Sequence, residues 1–233
     1  MIPGGPVRTL FLDAGGVLVD PDWARVAAVL GRHGITVSRG ALAAAERPAK
    51  RDMDRPDIVR ASDDRGRATL YYRAVLRRAG VEAEPARVEG GLDAIVADHA
   101  RSNLWCVVPE GVPEALARLR AAGLRLAVVS NADGELLSLF ERIGLGGMFD
   151  RVVDSGVVGI EKPDPRIFEE ALLACGADPA TTLHAGDFYE IDVVGARAAG
   201  IRAVLVDPAG LHGDRDCPRV ESLAALAVAL LAR

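Results

Sequence analysis

Apolar positions fall into three regimes along the chain. The first is a short run, Thr9-Leu10-Phe11-Leu12, bounded by turn formers, and it predicts a buried strand of a parallel sheet. The second covers residues 21–100, where the spacing is helical and strand signal is scarce. In WARVAAVLGRHG (23–34) apolar residues recur at three- and four-residue intervals and end at Gly34; RGRATLYYRAVLRRAG (65–80) repeats the pattern and ends at Gly80. Between them ERPAKRDMDRPDI (46–58) mixes charges with two prolines, which predicts a loop or a broken helix. The third regime begins near residue 110, where helix and strand alternate strictly. Helices are predicted over 113–123, 135–144, 165–176, 193–200 and near 221–232, with strands over 124–130, within 151–158, and over 181–187 and 201–207.

Such alternation implies an α/β fold, a parallel Rossmann-like sheet with crossover helices. The helical segment then becomes an insertion: a core of residues 1–20 and 100–233, and a helical cap of residues 21–99. A chain of 233 residues, half of them hydrophobic, can bury a sizeable core, and with only 4% aromatic residues Ala, Val and Leu must fill it. The longest apolar stretch, LAALAVALLA (223–232), is half the ~20 residues that span a bilayer, so it predicts a packed helix. The amino-terminal residues lack the pattern of a signal peptide, and the expected location is cytoplasmic. Cys106, Cys175 and Cys217 have neither disulfide-framework nor metal-site spacing. A net charge of −5 gives no reason to expect nucleic-acid or membrane-surface partners. Residues 21–95 alone lean basic, 14 Lys/Arg against 11 Asp/Glu, which reads as a solvated helical surface or as a face for an anionic substrate.

The inner strands end in polar residues: Asp13, Ser130-Asn131, and Gly186-Asp187, with Lys162 in EKPDP (161–165) just before a helix. Parallel strands bring their carboxyl ends to one edge of a sheet, where α/β proteins place ligands, so these residues should converge. Asp13 has the type and placement of a carboxylate nucleophile. Gly15 and Gly16 behind it let backbone N–H groups approach a ligand. Ser130, Asn131 and Lys162 supply donors and positive charge that suit a phosphoryl group. Asp187 and Asp192 supply hard oxygens of the kind Mg²⁺ prefers. Taken singly, Ser-Asn or KPDP is a turn or a helix cap; the order and spacing of all four stations makes the case.

The stretches FLDAGGVLVD, VVSNADG, GIEKPDPRIF and AGDFYEIDVVGARAAG resemble the motifs of the haloacid dehalogenase superfamily, mostly phosphohydrolases, and the insertion resembles its helical cap of the first type. The resemblance implies that Asp13 forms an aspartyl-phosphate while Ser130 and Lys162 hold the phosphoryl oxygens of a small phosphorylated substrate. It implies Mg²⁺ on Asp13, Asp187 and the Gly15 carbonyl, with Asp192 orienting that metal site. The match breaks at one place. Family phosphatases carry a second, acid/base aspartate where this chain has Gly15. Good leaving groups would not need that acid, and a cap residue or Glu190 could replace it. Otherwise the chemistry differs: C–P cleavage through a Schiff base on Lys50, haloacid hydrolysis, or ligand binding without turnover. Lys50 is one of two lysines against 26 arginines, though a single surface lysine also explains it. Trp23 at a helix start reads as packing, and His184 as a satisfied core histidine; Arg25, Arg47 and Arg51 are further cap candidates.

Overall fold

A computed structural model describes residues 5–61 and 64–232. The chain packs as two units, Met1–Asp20 with Val107–Arg233, and Pro21–Cys106.

The first unit is built on a parallel sheet. Its strands are β1 (Thr9–Leu12), β4 (Arg125–Ser130), β5 (Arg151–Asp154), β6 (Thr182–Gly186), β7 (Arg202–Val206) and β8 (Arg219–Val220), in the order β5-β4-β1-β6-β7-β8. The remaining strands, β2 (Asp20–Pro21) and β3 (Trp105–Val107), form a separate two-stranded ribbon. β1, β6 and all of β4 after Arg125 are buried, as continuous apolar runs in the middle of a parallel sheet must be. Helices α6 (Val112–Ala121), α7 (Leu136–Arg142), α8 (Ser155–Val158), α9 (Pro165–Cys175), α10 (Val194–Ala198) and α11 (Leu223–Leu231) connect or close the sheet. One core cluster gathers Phe11, Val129, Ile167, Phe168, Val193 and Leu205 from three strands and two helical segments. No described helix is long and apolar enough to cross a membrane.

The second unit is helical: α1 (Trp23–Arg32), α2 (Arg39–Met53), α3 (Pro56–Ala61), α4 (Asp64–Arg78) and α5 (Pro85–Arg101). The expected break at 46–58 is only partly there. α2 runs through Pro48 to Met53, because Leu42, Ala45, Ala49 and Met53 form one buried stripe at helical spacing. Burial of that stripe outweighs the ~3 kcal/mol that an interior proline costs. Gly34 and Gly80 end their helices with φ near +70°, the left-handed conformation that stops a helix.

Candidate active site

β1 lies between β4 and β6, with Leu12 opposite Val128 on one side and Ala185 on the other. Asp13 therefore emerges at the sheet's carboxyl edge next to Ser130 and the Gly186-Asp187 turn. Its Oδ1 accepts from the Ala14 N–H at 2.8 Å and from Ser130 Oγ at 2.6 Å, and lies 2.8 Å from Lys162 Nζ. Behind it the turn closes locally, Gly16 N–H donating to Val19 O at 2.7 Å with Gly16 at φ 75°. Gly15 is not among the left-handed glycines.

Lys162 is 1% exposed and bridges two carboxylates, with Nζ also 2.6 Å from Asp192 Oδ1. Burial works against its charge, but Asp13 and Asp192 outweigh that and hold the ammonium above the usual lysine range. Asp192 answers in the opposite sense: burial favours the neutral acid, yet Lys162 and then His184 hold it below the usual carboxylate range. Both its oxygens accept from the protein, Oδ1 from Lys162 and from His184 Nε2 at 2.9 Å, and Oδ2 from the Phe188 N–H at 3.0 Å. Asp192 can sit so close to the strand only because residue 186 is glycine. A Cβ there would lie 2.1 Å from Asp192 Cγ.

Buried Asp187 completes the acidic group: ligand oxygens of Asp13, Asp187 and Asp192 all lie within 4.8 Å of one another. With Asp192 occupied by protein donors, Asp13 and Asp187 are the carboxylates suited to hold a cation, and hard oxygens with few carboxylates fit Mg²⁺.

Asn131 is placed differently from the expectation of direct substrate contact. Its Nδ2 donates to Lys162 O at 3.0 Å and its Oδ1 accepts from Lys162 N at 2.7 Å, so the carboxamide clamps the lysine's backbone. The loop carrying Ser130 and Asn131 is itself anchored by residues that no sequence motif had singled out. Asp154 accepts from the N–H groups of Gly134, Leu136 and Gly156, and Ser155 Oγ exchanges hydrogen bonds with the Ala132 N–H and carbonyl. The only signal was position: Asp154 ends β5 directly opposite Ser130.

Glu190, one candidate for a replacement acid, is held by a guanidinium. Its Oε1 accepts from Arg215 Nη1 at 3.0 Å, and that guanidinium lies 4.4 Å over the Tyr189 ring. His184 is only half satisfied, since its buried Nδ1 has no partner.

In the helical unit, Lys50 is buried, 3.0 Å from Glu46 Oε1, with Nζ 4.7 Å from the Trp105 ring. Trp23 packs against Tyr71 and Tyr72, Arg25 pairs with Asp98 at 2.6 Å, and Arg47 pairs with Glu46 at 3.1 Å.

Residues 7–200 match the family model of haloacid dehalogenase-like hydrolases. The chain belongs to this family. Within it, the bovine (Bos taurus) haloacid dehalogenase-like hydrolase domain-containing protein 3 is 45% identical over 109 residues, 47% of this chain and 43% of that protein. Phosphoserine phosphatase of Thermus thermophilus is 39% identical over 142 residues, 58% of this chain and 53% of its own. The chain thus spans about half the length of the curated relatives it matches. The HAD-hydrolase YfnB of Bacillus subtilis superposes with a TM-score of 0.67 at 18% identity, over 97% of this chain and 99% of that one, and shares the fold.

Proposed function

We propose that this family member hydrolyses a small phosphorylated metabolite, with Mg²⁺ as cofactor, through an aspartyl-phosphate on Asp13. The observation that carries the reading is the three-donor grip on Asp13 Oδ1, from Ala14, Ser130 and Lys162, beside the buried carboxylates of Asp187 and Asp192. A carboxylate so fixed is aimed, and its neighbours are the groups that would neutralise phosphoryl charge. Asp13 attacks phosphorus, and the leaving oxygen departs with its electron pair. Water then attacks the same phosphorus, which returns the carboxylate and releases phosphate. Lys162 has three ammonium protons; two point to Asp13 and Asp192, and the third remains for a phosphoryl oxygen. Asp13, Asp187 and the Gly15 carbonyl would hold Mg²⁺, which when bound supplies further positive charge to the transferring group.

With Gly15 at the acid/base position, no side chain there protonates the leaving group. A positioned acid is worth about 10²–10⁴-fold, so simple alkyl phosphates should turn over poorly and acyl or aryl phosphates well. The phosphoserine phosphatase similarity supports a small phosphorylated substrate. Haloacid hydrolysis is disfavoured because Asp187 puts negative charge beside a reaction that needs none. The Schiff-base reading needs a free amine at Lys50, whose Nζ instead pairs with Glu46 Oε1 at 3.0 Å. We read the helical unit as the inserted cap. The free cysteines suit a reducing compartment, and we place the protein in the cytoplasm.

The test is a panel of acyl, aryl and alkyl phosphates with Mg²⁺ or with EDTA. Metal-dependent turnover that Asp13→Asn abolishes is the expected result. Metal-independent turnover, or turnover surviving in Asp13→Asn, overturns the proposal. Gly15 also favours a second reading, a binding protein that has lost turnover. Tight beryllium fluoride binding with no hydrolysis of any panel member would select it.

A further inference from the structure

We infer that His184, a strand residue outside the reacting set, is the positioning residue that fixes Lys162 on the nucleophile by orienting Asp192. The chain of contacts is continuous: His184 Nε2 lies 2.9 Å from Asp192 Oδ1, Lys162 Nζ 2.6 Å from the same oxygen, and Asp13 Oδ1 2.8 Å beyond it. A carboxylate oxygen accepts, so Nε2 carries a ring proton and donates it to Asp192. The other ring nitrogen, Nδ1, is buried without a partner, with the ring standing edge-on to Phe168 at a centroid distance of 4.9 Å.

An orphaned nitrogen in a fully buried strand is a cost that Leu or Val would not incur. The imidazole is therefore there for its other nitrogen. Its donation turns Asp192 from a carboxylate held through Lys162 and Phe188 alone into one oriented by three donors. Lys162 reaches two acids at once, and where its ammonium settles depends on how Asp192 is turned. Without the His184 donor, only Lys162 and the Phe188 N–H hold Asp192, and Oδ1 can turn and draw the ammonium away from Asp13. The arrangement is the one found behind metal ligands, where an outer donor sets the orientation of the group that acts.

The inference rests on reading Asp13 as the nucleophile, but its test does not depend on turnover. The chain has only two lysines, Lys50 and Lys162, so ¹⁵N-lysine labelling yields two ammonium signals, which Lys50→Arg distinguishes. His184→Gln places an amide donor near the position of Nε2; His184→Asn places one near Nδ1 and cannot reach Asp192; His184→Leu has none. The expected result is a slowly exchanging Lys162 signal in the parent and in His184→Gln, and its loss in His184→Asn and His184→Leu. On a phosphate ester that the parent hydrolyses, kcat should fall at least tenfold in His184→Asn and His184→Leu with KM within twofold, and recover in His184→Gln. An unchanged Lys162 signal in His184→Asn, or equal signals in the Gln and Asn variants, overturns the inference. A parent without turnover but with the expected signals leaves the inference standing and removes the proposed reaction. If His184→Leu fails to fold, the Gln and Asn pair decides alone.

Discussion

At the scale of single residues, the site is decided by what two glycines omit. Gly186 omits a Cβ that would meet Asp192 Cγ at 2.1 Å. Gly186→Ala should displace Asp192 and with it Lys162, lowering kcat at least 100-fold and stability by about 1–3 kcal/mol as overpacking does; steady-state kinetics and urea titration check both. Gly15 omits a carboxylate, and its backbone is outside the left-handed region, so an aspartate can be placed there without strain at φ. Gly15→Asp should raise kcat on alkyl phosphates by about 10²-fold or more while leaving acyl phosphates little changed. An equal effect on both would mean that the missing acid does not limit this site. Asp13, Ser130, Lys162 and Asp187 were legible in the sequence because each ends a strand or opens a helix at one sheet edge. The half-satisfied state of His184 and the clamp of Asn131 on Lys162 were not, since both depend on residues 8 to 31 positions away.

Among the elements, α2 and the Lys162 segment show opposite outcomes of local and tertiary forces. In α2, Pro48 says stop and the buried stripe says continue, and the stripe prevails. Pro48→Ala should regain a helical hydrogen bond but lose proline's restraint on the unfolded chain, for a net gain of about 1–2 kcal/mol in urea denaturation. Lys162 has no such freedom, because its ammonium is sealed between Asp13 and Asp192. Lys162→Met should cost about 3–5 kcal/mol, as loss of one partner of a buried pair does. The pH dependence follows from the shifts. Burial opposes the Lys162 charge and the two acids raise its pKa above 10.5, so its contribution is whole below that value and fades only as pH climbs through the higher folded one. Burial opposes the Asp192 charge, and Lys162 and His184 lower its pKa below 3.8, so its contribution is whole above that value and fades only in stronger acid. In the parent the pair therefore contributes no slope from about pH 5 to pH 9. In Lys162→Met, burial is free to raise the Asp192 pKa, so the variant's deficit should shrink as pH falls toward about 5; urea titrations of both proteins check it. A deficit that stays constant down to about pH 5 would show that Asp192 keeps its charge without Lys162.

On the scale of the whole molecule, three carboxylates gathered within 4.8 Å repel one another unless something positive joins Lys162 among them. Mg²⁺ should raise the melting temperature, by an amount equivalent to about 2.7 kcal/mol at 100 times its Kd. Asp187→Asn should abolish that rise and leave the metal-free protein at least as stable as the parent; calorimetry with and without Mg²⁺ measures both. What the sequence by itself determined is the pattern: apolar runs that must be buried strands, helical stripes between them, and polar residues where each strand ends. Those are consequences of period and of the cost of burying polar groups, and they are local. Tertiary structure decided the rest. It carried α2 through a proline, put Asn131 on the Lys162 backbone, and paired Glu190 with Arg215. It also gave His184 a partner on one side only. Which donor meets which carboxylate depends on distances between residues remote in the chain, and folding sets those distances only when the whole core closes.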